Sequence, residues 1–121
     1  MSIYRTAVQS IGSQAHLFEE EGMLILFGVN VPPELAEYCY LIDVTSGTSP
    51  IEGGQFLYFD DEQYEITAVG DVVTKNLSEL GHITIKFDGA IEAELPGTMH
   101  VSRKEYPKIK LNTKIKITKK R

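Results

Sequence analysis

One cysteine, three histidines and no tryptophan in 121 residues leave few routes to chemistry. The single thiol, Cys39, excludes an internal disulfide and cannot supply a thiolate zinc cage. The histidines, His16, His82 and His100, are dispersed and show none of the close spacing of zinc ligands. No apolar run approaches the roughly 18 residues of a spanning helix; the densest, "MLILF" at 23–27, has strand length. The opening "MSIYRTAVQS" lacks the apolar core of a signal peptide. "EGGQ" at 52–55 has neither the lysine of a nucleoside-triphosphate loop nor the dinucleotide pattern. These absences point to a soluble cytoplasmic chain, one domain over 1–121, with no cofactor and no metal.

Bases are also scarce over most of the length. Residues 1–102 hold 16 acids against Arg5, Lys75 and Lys86, whereas residues 103–121 hold nine Lys or Arg against Glu105 alone. "KIKLNTKIKITKKR" is open to two readings: a basic arm for nucleic acid or anionic lipid, or a last strand with lysines on its wet face. Alternation of Lys114, Lys116 and Thr118 with Ile115 and Ile117 favours the strand, where lysine would blunt a sheet edge. An acidic body repels phosphates, which argues against nucleic acid, and steers a basic protein partner toward it.

What is present is a succession of short apolar or alternating runs. Strands are expected near Ile3–Ile11, Met23–Val29, Tyr38–Val44, Gln55–Phe59, Gln63–Val69, His82–Phe87, Thr98–Ser102 and Lys114–Thr118. "FDDEQY" (59–64) reads as a hairpin loop, and "PPEL" (32–35) starts a short turn or one helical turn. "TKNLSELG" (74–81) is the one convincing helix, with Gly81 placed to end it in a left-handed cap. The fold class is therefore all-β: a small closed or nearly closed β-barrel with one short helix.

In "ELGHITIKFDG" (79–89), His82, Thr84, Lys86 and Asp88 alternate with Ile83, Ile85 and Phe87, so His82 opens the wet face of a half-buried strand. His100 alternates with Met99 and Val101 and by the same parity shares a polar face with Thr98 and Ser102. Either the two imidazoles pair around one site on neighbouring strands, or each binds a turn. His16 precedes an acidic turn and reads as surface. Glu92 and Glu94, spaced i, i+2, would share a strand face, yet no aromatic sugar platform accompanies them. Cys39, inside "YCYLI", reads as a buried inert thiol.

The run "TAVGDVVTKNLSELGHITIKFDGAIEAELPGTMHV" (67–101), together with "LAEYCYLI" (35–42), resembles the glucitol/sorbitol-specific IIA component of the bacterial phosphoenolpyruvate-dependent sugar phosphotransferase system (PTS). The most specific matches are Ala68-Val69-Gly70, Leu80-Gly81-His82 followed by Phe87-Asp88-Gly89, and Pro96-Gly97-Thr98 with His100. The resemblance covers nearly the whole chain. It implies a cytoplasmic phosphocarrier that takes a phosphoryl group from phospho-HPr onto a histidine and passes it to a cysteine of the IIB domain of a sorbitol-type IIB/IIC permease. Membrane contact would come only through that permease.

The resemblance departs at one point. Family members follow Glu-Tyr-Cys with an aromatic residue, an isoleucine and then His-Cys-His, whose first histidine is taken as the phosphorylated one. Here Ile42 stands at that position and Val44 at the second histidine; isoleucine has no lone pair to accept phosphorus. His82 and His100, both at family positions, are the remaining catalytic candidates. His82 is the choice, because Gly81 lets a partner's backbone approach and Thr84 and Lys86 share its face. The alternative is a degenerate barrel that keeps the scaffold and serves as a regulatory or protein-binding module.

Overall fold

In a computed structural model the described residues are 2–46 and 48–119. Gly47, Lys120 and Arg121, which belong to the glycine-rich stretch and the basic tail, lie outside them.

Eight strands form a closed barrel: β1 (Ser2–Ile11), β2 (Met23–Gly28), β3 (Tyr40–Ile42), β4 (Phe56–Phe59), β5 (Glu62–Val69), β6 (Ile83–Lys86), β7 (Thr98–Val101) and β8 (Lys114–Thr118). Around the barrel the order is β1-β3-β2-β6-β7-β5-β4-β8. Period-two alternation sends one side chain of each pair inward. Leu24, Leu26, Leu57, Phe59, Ile83, Ile85, Ile115 and Ile117 are each at most 2% exposed and fill the interior. Eight strands enclose just enough space for such side chains, so the barrel is a packed core rather than a pore.

β1 serves two neighbours. Its first half pairs with β8 and its second half with β3, and the register shifts between Val8 and Ser10. Such an irregularity bends a strand around a corner, which a closed sheet requires. Six of the strand pairings are antiparallel, whereas β2–β3 and β6–β7 are parallel. Each parallel pair needs a crossover on the outside of the barrel. The first contains helix α1 (Pro33–Ala36); the second is the strandless connection 87–97. Glu92 and Glu94 thus lie on a loop, and their strand-face spacing does not apply.

The helix expected near 74–81 is α2 (Val73–Leu80), which buries Val73 and Leu77. Gly81 ends it at φ 68°, where any side chain would be strained, and the His82 N–H bonds back to the Asn76 carbonyl at 3.2 Å. A Cβ on Gly81 would also meet the Gly28 nitrogen at 3.0 Å, so the entry to β6 lies tight against the end of β2. The cap therefore sets the position of His82.

β8 is not an edge. It lies between β1 and β4, with Lys114 and Lys116 turned outward and the Lys116 ammonium 4.7 Å from the Tyr58 ring centre. Closure leaves no edge for its lysines to blunt. The sequence also carries a 3₁₀ helix, Ala15–Glu21, that its pattern does not announce.

Candidate functional site

The three imidazoles occupy three different environments. His16, in the 3₁₀ helix, is exposed. His82 is half-buried at the start of β6, on the outer face it shares with Thr84 and Lys86. His100 is 0% exposed.

Burial of His100 follows from what covers β7. All four residues of that strand are buried, because connection 87–97 lies across its outer face. The His100 Nδ1–H donates to Asp88 Oδ1 at 2.9 Å, and Nε2 accepts the Glu94 backbone N–H at 3.3 Å. Both nitrogens are thus committed, and the imidazole fastens the connection to the barrel wall. Asp88 also accepts the Ala90 N–H at 3.1 Å. Partial burial pushes the Asp88 carboxyl up, but the bonds from His100 and Ala90 outweigh it and hold the carboxyl below its ordinary value.

β6 and β7 are neighbours, yet their two imidazoles do not share a site. His100 stands opposite Lys86 in the register, four residues along from His82, about 13 Å of strand. Lys86 in turn is held by Glu94 at 2.7 Å, a hydrogen bond that raises its pKa, so it does not reach toward His82. Asp88, Glu94 and His100 bring ligand-type atoms within 4.8 Å of one another. With both His100 nitrogens used and an ammonium on Glu94, they form an ion-paired clasp rather than a metal cage.

His82 has the opposite character. Its Nδ1 lies 3.2 Å from the Leu26 carbonyl oxygen, and since a carbonyl only accepts, Nδ1 carries the proton. Nε2 is left with its lone pair. The ring stacks on Phe27, centroids 4.2 Å apart and planes 22° from parallel. His82 itself lines a concavity of about 360 Å³ together with Phe18, Ile25, Phe27, Leu35, Tyr38 and Cys39. Leu35 and Tyr38 are 46% and 37% exposed, so the apolar surface reaches the outside. Glu19, Glu20 and Glu21 flank Phe18, and Glu34 and Glu37 flank Leu35 and Tyr38; all five are exposed. Among the described residues no Lys or Arg lines this concavity.

Cys39 is part of the same wall. It is 2% exposed, its thiol donates to the Leu35 carbonyl at 3.3 Å, and burial pushes its pKa up, which keeps it protonated and inert. Ile42 faces the barrel interior on β3 at 0% exposure, against Gly81. Ile42 is thereby closed off from solvent. Val44 lies outside the strand and is 41% exposed.

Leu26, Phe27, Phe18 and Ile25 were not singled out by the sequence pattern. The signal was the unbroken run "MLILF": a strand apolar on both faces needs a cover outside as well as a core inside. The 3₁₀ helix and α1 supply that cover and leave a gap at His82.

The family model described as "PTS system glucitol/sorbitol-specific IIA component" matches residues 3–116. Over 100 residues the chain is 40% identical to the glucitol/sorbitol-specific EIIA components of Shigella flexneri and of Escherichia coli (strain K12), which covers 83% of this chain and 81% of each relative. The crystal structure of a PTS system IIA component from Enterococcus faecalis V583 superposes with a TM-score of 0.86 at 26% identity, covering 95% of this chain and 99% of that one.

Proposed function

Because the chain belongs to the glucitol/sorbitol-specific IIA component family of the phosphotransferase system, and so serves as a phosphocarrier, we propose that His82 holds the phosphoryl group. The observation that carries this reading is the state of the imidazoles. Of the three, His82 is the one with a defined tautomer, a spare lone pair and an apolar recess in front of it.

The tautomer directs the chemistry to Nε2. That lone pair attacks the phosphorus of a donor phosphohistidine on HPr. An N–P bond forms at His82 Nε2 as the donor P–N bond breaks, and its electron pair returns to the donor ring. Positive charge then develops on the His82 ring and is shared with Nδ1–H. The Leu26 carbonyl dipole lies where it stabilises that charge without reorganising. In the onward step a thiolate, from the IIB domain of a permease, attacks phosphorus and His82 leaves as the neutral imidazole. The apolar recess favours docking of a convex apolar surface, which expels the water that would otherwise hydrolyse the phosphohistidine. The acidic flank favours partners with basic faces and speeds their encounter. The reading places the chain in the cytoplasm, with its membrane contact through the IIB/IIC permease. Among the described residues no helix is long and apolar enough to cross a membrane.

His100 is assigned to the clasp on connection 87–97, because both its nitrogens are bonded and it is fully buried. Isoleucine at 42 leaves this mechanism intact, since the position faces inward.

Labelling with phosphorylated HPr tests the assignment. In His82→Gln the acid-labile phosphohistidine signal is expected to fall to background, whereas folded His100→Asn keeps it. Full labelling of His82→Gln overturns the assignment.

A further inference from the structure

Phosphoryl transfer at an imidazole has a strict directional requirement, because the attacking lone pair lies in the plane of the ring. That plane must contain the line to phosphorus, and a small rotation about the Cβ–Cγ bond removes the overlap. The Leu26 carbonyl bond fixes one point of the His82 ring; one hydrogen bond still permits the ring to pivot about it. A second restraint is needed, and the fold supplies one.

Phe27 follows Leu26 on β2, so the two residues point to opposite faces of the barrel wall, Leu26 inward and Phe27 outward. The inward side chain leaves its carbonyl free toward β6, and the outward ring meets the imidazole nearly face to face, 4.2 Å away and 22° from parallel. The absence of Cβ atoms at Gly28 and Gly81 brings β6 close enough to β2 for this stack to form. Phe27 is itself one wall of the recess, beside Phe18 and Leu35. One dipeptide thus provides both the tautomer and the plane.

We propose that Phe27 is a positioning residue for phosphoryl transfer, its flat ring holding the His82 imidazole in the orientation that directs Nε2 into the recess. The proposal rests on His82 being the carrier. Phe27 touches neither phosphorus nor donor in this role; it acts through the ring it stacks upon. A purely packing role would be met by any apolar side chain of similar size, and a purely docking role would affect affinity for the donor rather than the rate once it is bound.

Phe27→Leu, which keeps apolar volume but not the flat face, and Phe27→Trp, which keeps the face, separate these roles. Nitrogen-15 spectra of the free proteins report the His82 tautomer, and phosphoryl uptake from phospho-HPr over a range of donor concentrations reports rate and KM. In Phe27→Leu we expect uptake at saturating donor about tenfold slower or more, KM within about twofold, and a ring that populates both tautomers. Phe27→Trp is expected to restore rate and tautomer. A wild-type rate and tautomer in Phe27→Leu overturns the positioning role, as does a change in KM alone, or a Phe27→Trp variant as slow as the leucine one. Failure of the carrier assignment looks different: His82→Gln would then accept phosphate at the wild-type rate, whatever occupies 27.

Discussion

Two imidazoles in one small barrel acquire opposite characters from their hydrogen bonds and their burial. His82 donates once and keeps a lone pair; His100 donates to Asp88 and accepts from Glu94, and so has nothing left to offer. This division has a pH signature that belongs to the His100 partner. The Asp88 carboxyl is held below its ordinary value, so its bonds stabilise the fold fully above the unfolded value near 3.9 and are lost as pH falls through the lower folded value. Asp88→Asn keeps an acceptor for His100 but cannot titrate. Urea denaturation between about pH 5 and pH 3 should therefore show a shallower loss of stability in Asp88→Asn than in wild type. Parallel slopes would mean that the clasp carries no linkage. At this scale His82 was legible from its period-two strand, but the character of His100 was not. Alternation assigns two faces to a strand, yet it cannot report that the preceding connection, 87–97, will fold over the polar one. The commitment of Lys86 to Glu94 was hidden for the same reason, since it depends on where connection 87–97 returns.

At the level of elements, the recess exists because the 3₁₀ helix packs on the outer face of β2 while Leu35 of α1 and the following Tyr38 and Cys39 form the opposite wall beside His82. Gly12 holds that arrangement. Its N–H donates to the Cys39 carbonyl at 3.0 Å, and a Cβ there would come within 2.3 Å of the Ala36 carbonyl oxygen and 2.4 Å of that of Glu37. These are backbone atoms and cannot swing aside. Gly12→Ala should cost about 1–3 kcal/mol by urea denaturation. It should also slow phosphoryl uptake, because Leu35 and Tyr38 move with α1. Loss of stability with an unchanged rate would separate the helix from the site. All eight strands and α2 could be read from alternation and a capping glycine. The 3₁₀ helix could not: "AHLFEEE" has one buried residue, Ala15, and no apolar period. The parallel β2–β3 and β6–β7 pairings were equally hidden, since local pattern carries no strand order.

Over the whole molecule, the first 102 residues are strongly acidic and the last 19 basic. Around His82 the acids prevail, with no lysine or arginine in the recess among the described residues. A donor with a basic docking face should therefore associate faster at low ionic strength. We expect the association rate to fall about tenfold as salt rises from about 20 to about 200 mM. Glu34→Lys with Glu37→Lys should produce a similar loss at low salt, read by stopped-flow mixing with phospho-HPr. A rate indifferent to salt and to these charges would remove steering from the account.

Closure of the barrel has a consequence for how the protein is made. Its final staves to meet are β8, the last synthesised, and β1, the first, with β4 on the other side. Until residues 114–118 emerge from the ribosome, β1 and β4 present backbone groups with nothing to zip onto, which is the condition that invites stray strand addition. The hazard of aggregation is thus concentrated in the interval before β8 emerges. Once the ring snaps shut, it is gone.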